Sequence, residues 1–192
     1  MSETEMRLPG SVAEVMASPK GPRSGAFFDL DGTLVAGFTA VILTRERFRS
    51  RDMGIGGELI SMIAAGLNHQ LGRLEFEELI TKASQALRGR ALSDLHEIGD
   101  RMFVQQIEKR IYPEMRELVH AHMERGHTVV LSSSALTLQV EPVAKFLGIE
   151  NTLTNRFEVD ENDVLTGDVV RPILWGAGQG ERGAEVRRGQ RH

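Results

Sequence analysis

The 192-residue chain contains no cysteine. That absence excludes disulfides, thiol nucleophiles and thiolate metal sites, and it is compatible with a cytoplasmic setting. Aromatic residues are scarce, at 5%, with one Trp and one Tyr. No apolar run approaches the ~18 residues that a bilayer-spanning helix requires. The N-terminus opens acidic and has no apolar core segment, so it does not read as a signal peptide. Proline is missing from Phe38 to Arg110, and nothing there interrupts helix formation. A net charge of −4 gives no general attraction to nucleic acid. What is present, 41% apolar and 26% charged residues, is ordinary for a globular domain with room for a modest insert.

The strongest local pattern is Ala26-Phe27-Phe28-Asp29-Leu30-Asp31-Gly32-Thr33-Leu34-Val35. A short apolar run ends in two carboxylates at i and i+2, followed by a glycine and a threonine. The run predicts a buried strand, with Asp29 and Asp31 where it leaves the sheet. In open α/β sheets that end of a strand is where chemistry collects. Two acids this close repel unless a cation or a shared proton separates them. Oxygen-rich, sulfur-free surroundings suit a hard ion such as Mg²⁺. One carboxylate could then attack phosphorus while the other manages the leaving group's proton. The plain alternative is a strand running into an Asp-Gly turn. Apolar residues on both sides of the acids favour the functional reading.

Residues 1–24, with Pro9, Gly10, Pro19, Gly21 and Pro22, read as a mostly disordered leader with one short helix near Val12–Met16. From residue 37 to 110 the pattern is helical: Thr39 to about Arg51, Glu58 to Leu71, Leu74 to Leu87, and Ser93 to Ile107 with Ser93 as N-cap. An insert leaving directly after the acid-bearing strand hangs over the site, which favours a lid that excludes water and selects substrates; the plain alternative is a helical subdomain with no gating role. Arg45, Arg47, Arg49 and Arg51 fan over more than one helical face and read as solvated surface, as do His69 and His96. Pro113 opens a helix to Arg125, stopped by Gly126. His120 and His122 fall on opposite faces of it, which argues against a shared metal.

His127 to Leu131 predicts a second buried strand, ending in Ser132, Ser133 and Ser134. A hydroxyl and backbone N–H groups there could meet a phosphate oxygen, although three serines alone read as a loop. Leu136 to Leu147 is the next helix and Gly148 its stop. Asn151 to Val159 predicts a third strand. Asp160 to Asp163 is a turn without calcium-loop spacing, and Val164 to Val170 returns as a hairpin partner.

Together these stretches resemble the haloacid dehalogenase (HAD) superfamily. Over residues 25–178 they are similar to its phosphoserine-phosphatase-like subfamily IB, closest to actinobacterial members that often precede a lysophospholipid acyltransferase domain. The resemblance implies an α/β, Rossmann-like core at 25–36 and 111–178, an inserted four-helix cap at 37–110 and an irregular tail at 179–192. It implies that Asp29 is the nucleophile, forming an aspartyl-phosphate, and that Asp31 is the general acid/base. Asp29 and Asp31 would hold Mg²⁺, the latter through its carbonyl, and Gly32, Thr33, Ser132 and Ser133 would meet the phosphate. The expected function is Mg²⁺-dependent hydrolysis of a small phosphorylated substrate in the cytoplasm. The alternative is a catalytically impaired fragment with a regulatory or interfering binding role.

Three departures from the family pattern shape those expectations. The family's lysine is replaced by Gln179, which supplies no cation, and its final acidic pair has no counterpart before His192. The core therefore reads as incomplete at its C-terminus, truncated or frameshifted. The strand at Ala26–Leu30 is then expected to be an open sheet edge that favours self-association. Finally, the glutamate that recognises the amine of phosphoserine has no equivalent in Ala36-Gly37-Phe38-Thr39, which argues against phosphoserine itself.

Overall fold

The computed structural model describes residues 11–39, 42 and 73–175. Strands β1 (Gly25–Phe28), β2 (Thr128–Leu136) and β3 (Asn151–Asn155) form a parallel sheet in the order β1-β2-β3. Two helices are named by their place in the crossovers: α4 (Pro113–Glu124) leads into β2, and α5 (Thr137–Leu147) carries the chain from β2 to β3. Parallel neighbours need such crossovers because a tight turn cannot join them. All of β2 is buried except Thr128 and Ser134, which are half-buried. That near-continuous burial belongs to a strand covered on both faces. Leu30, Leu34, Leu131, Val140, Val143 and Leu147 form the heart of the core. Among the described residues β1 pairs with β2 alone, and Phe27 on it is 37% exposed.

Two strand expectations are corrected. The second strand does not stop at Leu131: it continues through Ser132–Leu136, because β3 pairs with it as far as Leu136↔Asn155 across a shift in register. The third strand is really two. Beyond Asn155 the chain leaves the parallel sheet, and β4 (Phe157–Val159) pairs antiparallel with β5 (Leu165–Val169) in the expected hairpin.

Helices α2 (Arg73–Leu87) and α3 (Leu92–Met102) cover the described part of the insert. Helix α2 buries Phe76, Leu79, Ile80, Ala83 and Leu87, one face of the helix expected over Leu74 to Leu87. The N-cap of α3 is Ala91, not Ser93, because the Leu92 N–H is already satisfied by the Asp163 carbonyl at 2.8 Å. Helix α3 runs on through a π-helical turn, Phe103–Ile107, and a 3₁₀ turn, Glu108–Arg110. The hairpin is clamped to this pair of helices. Ser84 donates to the Asp168 carbonyl at 2.6 Å, and Gly89 and Leu165 N–H groups donate to Leu165 and Arg90 carbonyls at 2.9 Å. The expected helices over 39–51 and 58–71, the residues placed on them and the tail lie outside the described residues, apart from Thr39 and Ile42.

Helix α1 (Val12–Ala17) stands where the sequence puts it, capped reciprocally by Ser11 and Glu14. The rest of the described leader is held rather than disordered. Arg125 donates to the Ser18 carbonyl, Gly21 N–H to the Arg125 carbonyl at 2.9 Å, and Thr128 Oγ1 to the Pro22 carbonyl at 3.0 Å. These bonds span about a hundred residues of sequence, so local turn composition could not announce them.

Candidate active site

Strand β1 ends at Phe28, whose register partner on β2 is Leu131. The next residues, Asp29 and Ser132, are therefore neighbours at the point where β1 leaves the sheet and β2 continues. The chain then coils tightly: Leu34 and Val35 N–H groups both donate to the Leu30 carbonyl at 3.0 Å, and Gly32 N–H donates to that of Val35 at 2.9 Å. Gly32 sits at φ 74, a left-handed conformation that a side chain would strain. The coil turns the Asp31 carboxylate toward Thr39, whose N–H donates to Oδ1 at 2.8 Å.

Burial raises the Asp29 carboxyl above its usual range, opposed by a bond from the Leu30 N–H. Asp31 is raised by burial as well, opposed by hydrogen bonding from Thr39, and the neighbouring Asp29 charge adds to the rise. Two half-buried carboxylates that disfavour each other's ionisation are the setting a cation relieves. Among the described residues no three His, Cys, Asp or Glu side chains converge. The Asp29 carboxylate and Asp31 carbonyl nevertheless fit Mg²⁺, which is commonly held by one or two carboxylates with water and substrate phosphate completing the shell.

The four expected phosphate contacts differ in what they offer. Thr33 N–H turns back to the Leu30 carbonyl at 3.4 Å. With the Gly32 N–H also committed to the coil, a phosphate contact from this pair falls to the Thr33 hydroxyl. Ser132 and Ser133 are both buried. Ser133 Oγ accepts the Ala135 N–H at 3.2 Å and keeps its own proton to donate.

Three residues here escaped the sequence reading. Thr39 was read only as the start of a helix. Gln139, 1% exposed, bonds Leu136 and Thr39; it caps the Leu136 N–H from the third helical position, but with leucine at the N-cap the sequence carries no capping-box signature. Asn155 joins the end of β2 to the segment after β5, donating to the Ser134 and Leu174 carbonyls at 2.6 and 2.9 Å and accepting Leu174 N–H at 2.7 Å. No local pattern marks it.

A family model for haloacid dehalogenase-like hydrolases matches residues 26–191. The chain belongs to the haloacid dehalogenase-like hydrolase family. The match runs past Gly178, where the motif reading stops. This haloacid dehalogenase-like chain is 27% identical over 189 residues to the phosphoserine phosphatase SerB1 of Mycobacterium tuberculosis, covering 93% of the chain and 59% of that protein. It is 26% identical over 154 residues to an inhibition of morphological differentiation protein of Streptomyces azureus, covering 77% of the chain and 54% of that protein. The chain thus spans somewhat more than half the length of these curated relatives. Among solved structures it resembles a phosphoserine phosphatase carrying a phospho-aspartyl intermediate analogue, with a TM-score of 0.57, 22% identity, and coverage of 88% of this chain and 73% of that one. The HAD α/β fold is common to them. Among the described residues no helix is long and apolar enough to cross a membrane.

Proposed function

We propose that this chain carries the machinery of a Mg²⁺-dependent phosphomonoester hydrolase that works through an aspartyl-phosphate on Asp29. The observation that carries the reading is the carboxylate pair at the end of β1, with Asp29 beside Ser132 and Asp31 held by Thr39. An Asp29 oxygen attacks phosphorus in line, and the bond from phosphorus to the leaving oxygen breaks. Asp31 gives that oxygen its proton, a role suited to a carboxyl raised by burial. Asp31 then takes a proton from the water that attacks the phosphoryl group, releasing phosphate and restoring the Asp29 carboxylate. Ser132, Ser133 and the Thr33 hydroxyl donate to the phosphoryl oxygens. The Asp29 carboxylate and the Asp31 carbonyl would hold Mg²⁺, which would supply neutralisation of the phosphate charge when bound.

The helical insert at 37–110 acts as the cap over this site, and the setting is cytoplasmic. The name of the mycobacterial relative supports the reaction class. Its amino-acid substrate is not adopted: Ala36 to Thr39 offers no carboxylate to an ammonium group, and Thr39 is committed to Asp31. The substrate is a small phosphomonoester without an amine close to the phosphate. Nothing observed supports self-association through β1, and it is not part of the reading. The test is turnover of p-nitrophenyl phosphate with Mg²⁺. Asp29→Asn is expected to abolish it without lowering the melting temperature, and wild-type turnover in that variant would refute the assignment.

A further inference from the structure

We infer that Gln139 is a positioning residue for Asp31 and acts through the Thr39 hydroxyl. The inference rests on the reading of Asp31 as general acid/base given above. Gln139 Oε1 accepts the Leu136 N–H at 3.0 Å. A backbone N–H can only donate, so this contact fixes which end of the amide faces which way. Nε2 must then point at Thr39 Oγ1, 3.0 Å away and 100 residues distant in sequence. Nε2 can only donate in turn, so the Thr39 oxygen is the acceptor in that contact. With its hydroxyl anchored in this way, Thr39 donates its own N–H to Asp31 Oδ1 at 2.8 Å.

The chain of donors runs one way, from Leu136 N–H through Gln139 and Thr39 to Asp31. It starts at the last residue of the strand that carries Ser132 and ends at the acid/base, so the phosphate side and the proton side of the site share one register. Gln139 and Thr39 are 1% and 0% exposed, so water does not substitute for either partner. Without Gln139 the Thr39 hydroxyl is free to rotate and the N–H that holds the carboxylate loses a fixed direction. The other use of Gln139 is to cap the start of α5, and the test separates the two.

A general acid matters when the leaving group is a poor one. An alkoxide needs its proton, whereas p-nitrophenolate departs without one. In Gln139→Leu the ratio of ethyl phosphate to p-nitrophenyl phosphate turnover is expected to fall about tenfold, a part of what a general acid contributes. Thr39→Val breaks the same link from its other end and leaves the Leu136 bond intact, so it gives the same shift even if Gln139→Leu folds poorly. Thr39→Ser restores the ratio, and the double variant is no worse than Thr39→Val. Equal losses on both substrates, or additive losses in the double variant, would mean that Gln139 is only a cap. Hydrogen exchange at the Thr39 amide is read in parallel: about tenfold faster exchange in Gln139→Leu is expected, and unchanged exchange overturns the inference. If the wild type turns over neither phosphate, the phosphatase reading fails, and the Thr39 exchange rate alone then decides whether Gln139 orders Asp31.

Discussion

His122 and His127 meet nitrogen to nitrogen, Nδ1 to Nδ1 at 2.9 Å, while His127 Nε2 reaches the Pro19 carbonyl at 2.8 Å. A carbonyl only accepts, so His127 carries a proton on Nε2, and the two Nδ1 atoms share one proton between them. The contact links α4, the start of β2 and the arm before β1. The sequence placed His122 opposite His120 on its helix and saw no partner for it, because the partner lies beyond the Gly126 turn.

Stability is expected to fall on mild acidification. Burial, and secondarily the His127 charge, lower the His122 pKa from 6.5. As the pH drops the unfolded chain binds its proton first, so stability present above 6.5 is lost as pH falls through the lowered folded value. The melting temperature should decline as the pH falls below 6.5. His122→Phe, which keeps the edge-to-face packing against Phe28 as a ring contact, should decline less steeply.

The carboxylate pair of the candidate site is legible because its signal is local. Asp29, Asp31 and Gly32 stand within four residues, and the strand before them needs only apolar content to be recognised. Helices α4 and α5 announce their ends through Pro113, Gly126 and Gly148. What could not be read is carried by contacts across the fold: Ser132 to Ser134 look like loop until β3 pairs with this strand on to Leu136, and Ser93 looks like a cap until the Asp163 carbonyl takes the Leu92 N–H.

Gly99 on α3 lies against the Leu138 backbone of α5, where an added Cβ would collide with the carbonyl oxygen. By helix propensity alone Gly99→Ala should stabilise by ~1 kcal/mol. The contact instead predicts a net loss of ~1–3 kcal/mol, because backbone on both sides must move. A denaturant midpoint at or above that of the wild type would show that the two helices are not locked together.

Asn155→Ala removes three bonds at a residue 1% exposed. The Ser134 and Leu174 groups it satisfies would be left buried and unpaired, at a cost of ~2–4 kcal/mol. Chemical denaturation checks this. Asn155→Asp should be as harmful, since a carboxylate cannot donate to the two carbonyls.

Asp31→Asn should raise the melting temperature in the presence of a chelator at neutral pH. The wild-type carboxyl is held above 3.8, so its favourable contribution exists below that value and is lost as pH rises through the raised one. The gap between the variant and the wild type should therefore close on acidification into the carboxylate range. A gap that widens there would contradict the sign of the shift.

The central claim is that Asp29 becomes covalently phosphorylated. The direct measurement is acid quenching during turnover of a phosphomonoester with Mg²⁺, followed by mass spectrometry of the peptides. The account predicts one phosphoryl group on the peptide bearing Asp29, accumulating in Asp31→Asn because hydrolysis of the intermediate is slowed, and absent in Asp29→Asn. A phosphoryl group on any other residue, or turnover with none trapped in Asp31→Asn, would contradict it.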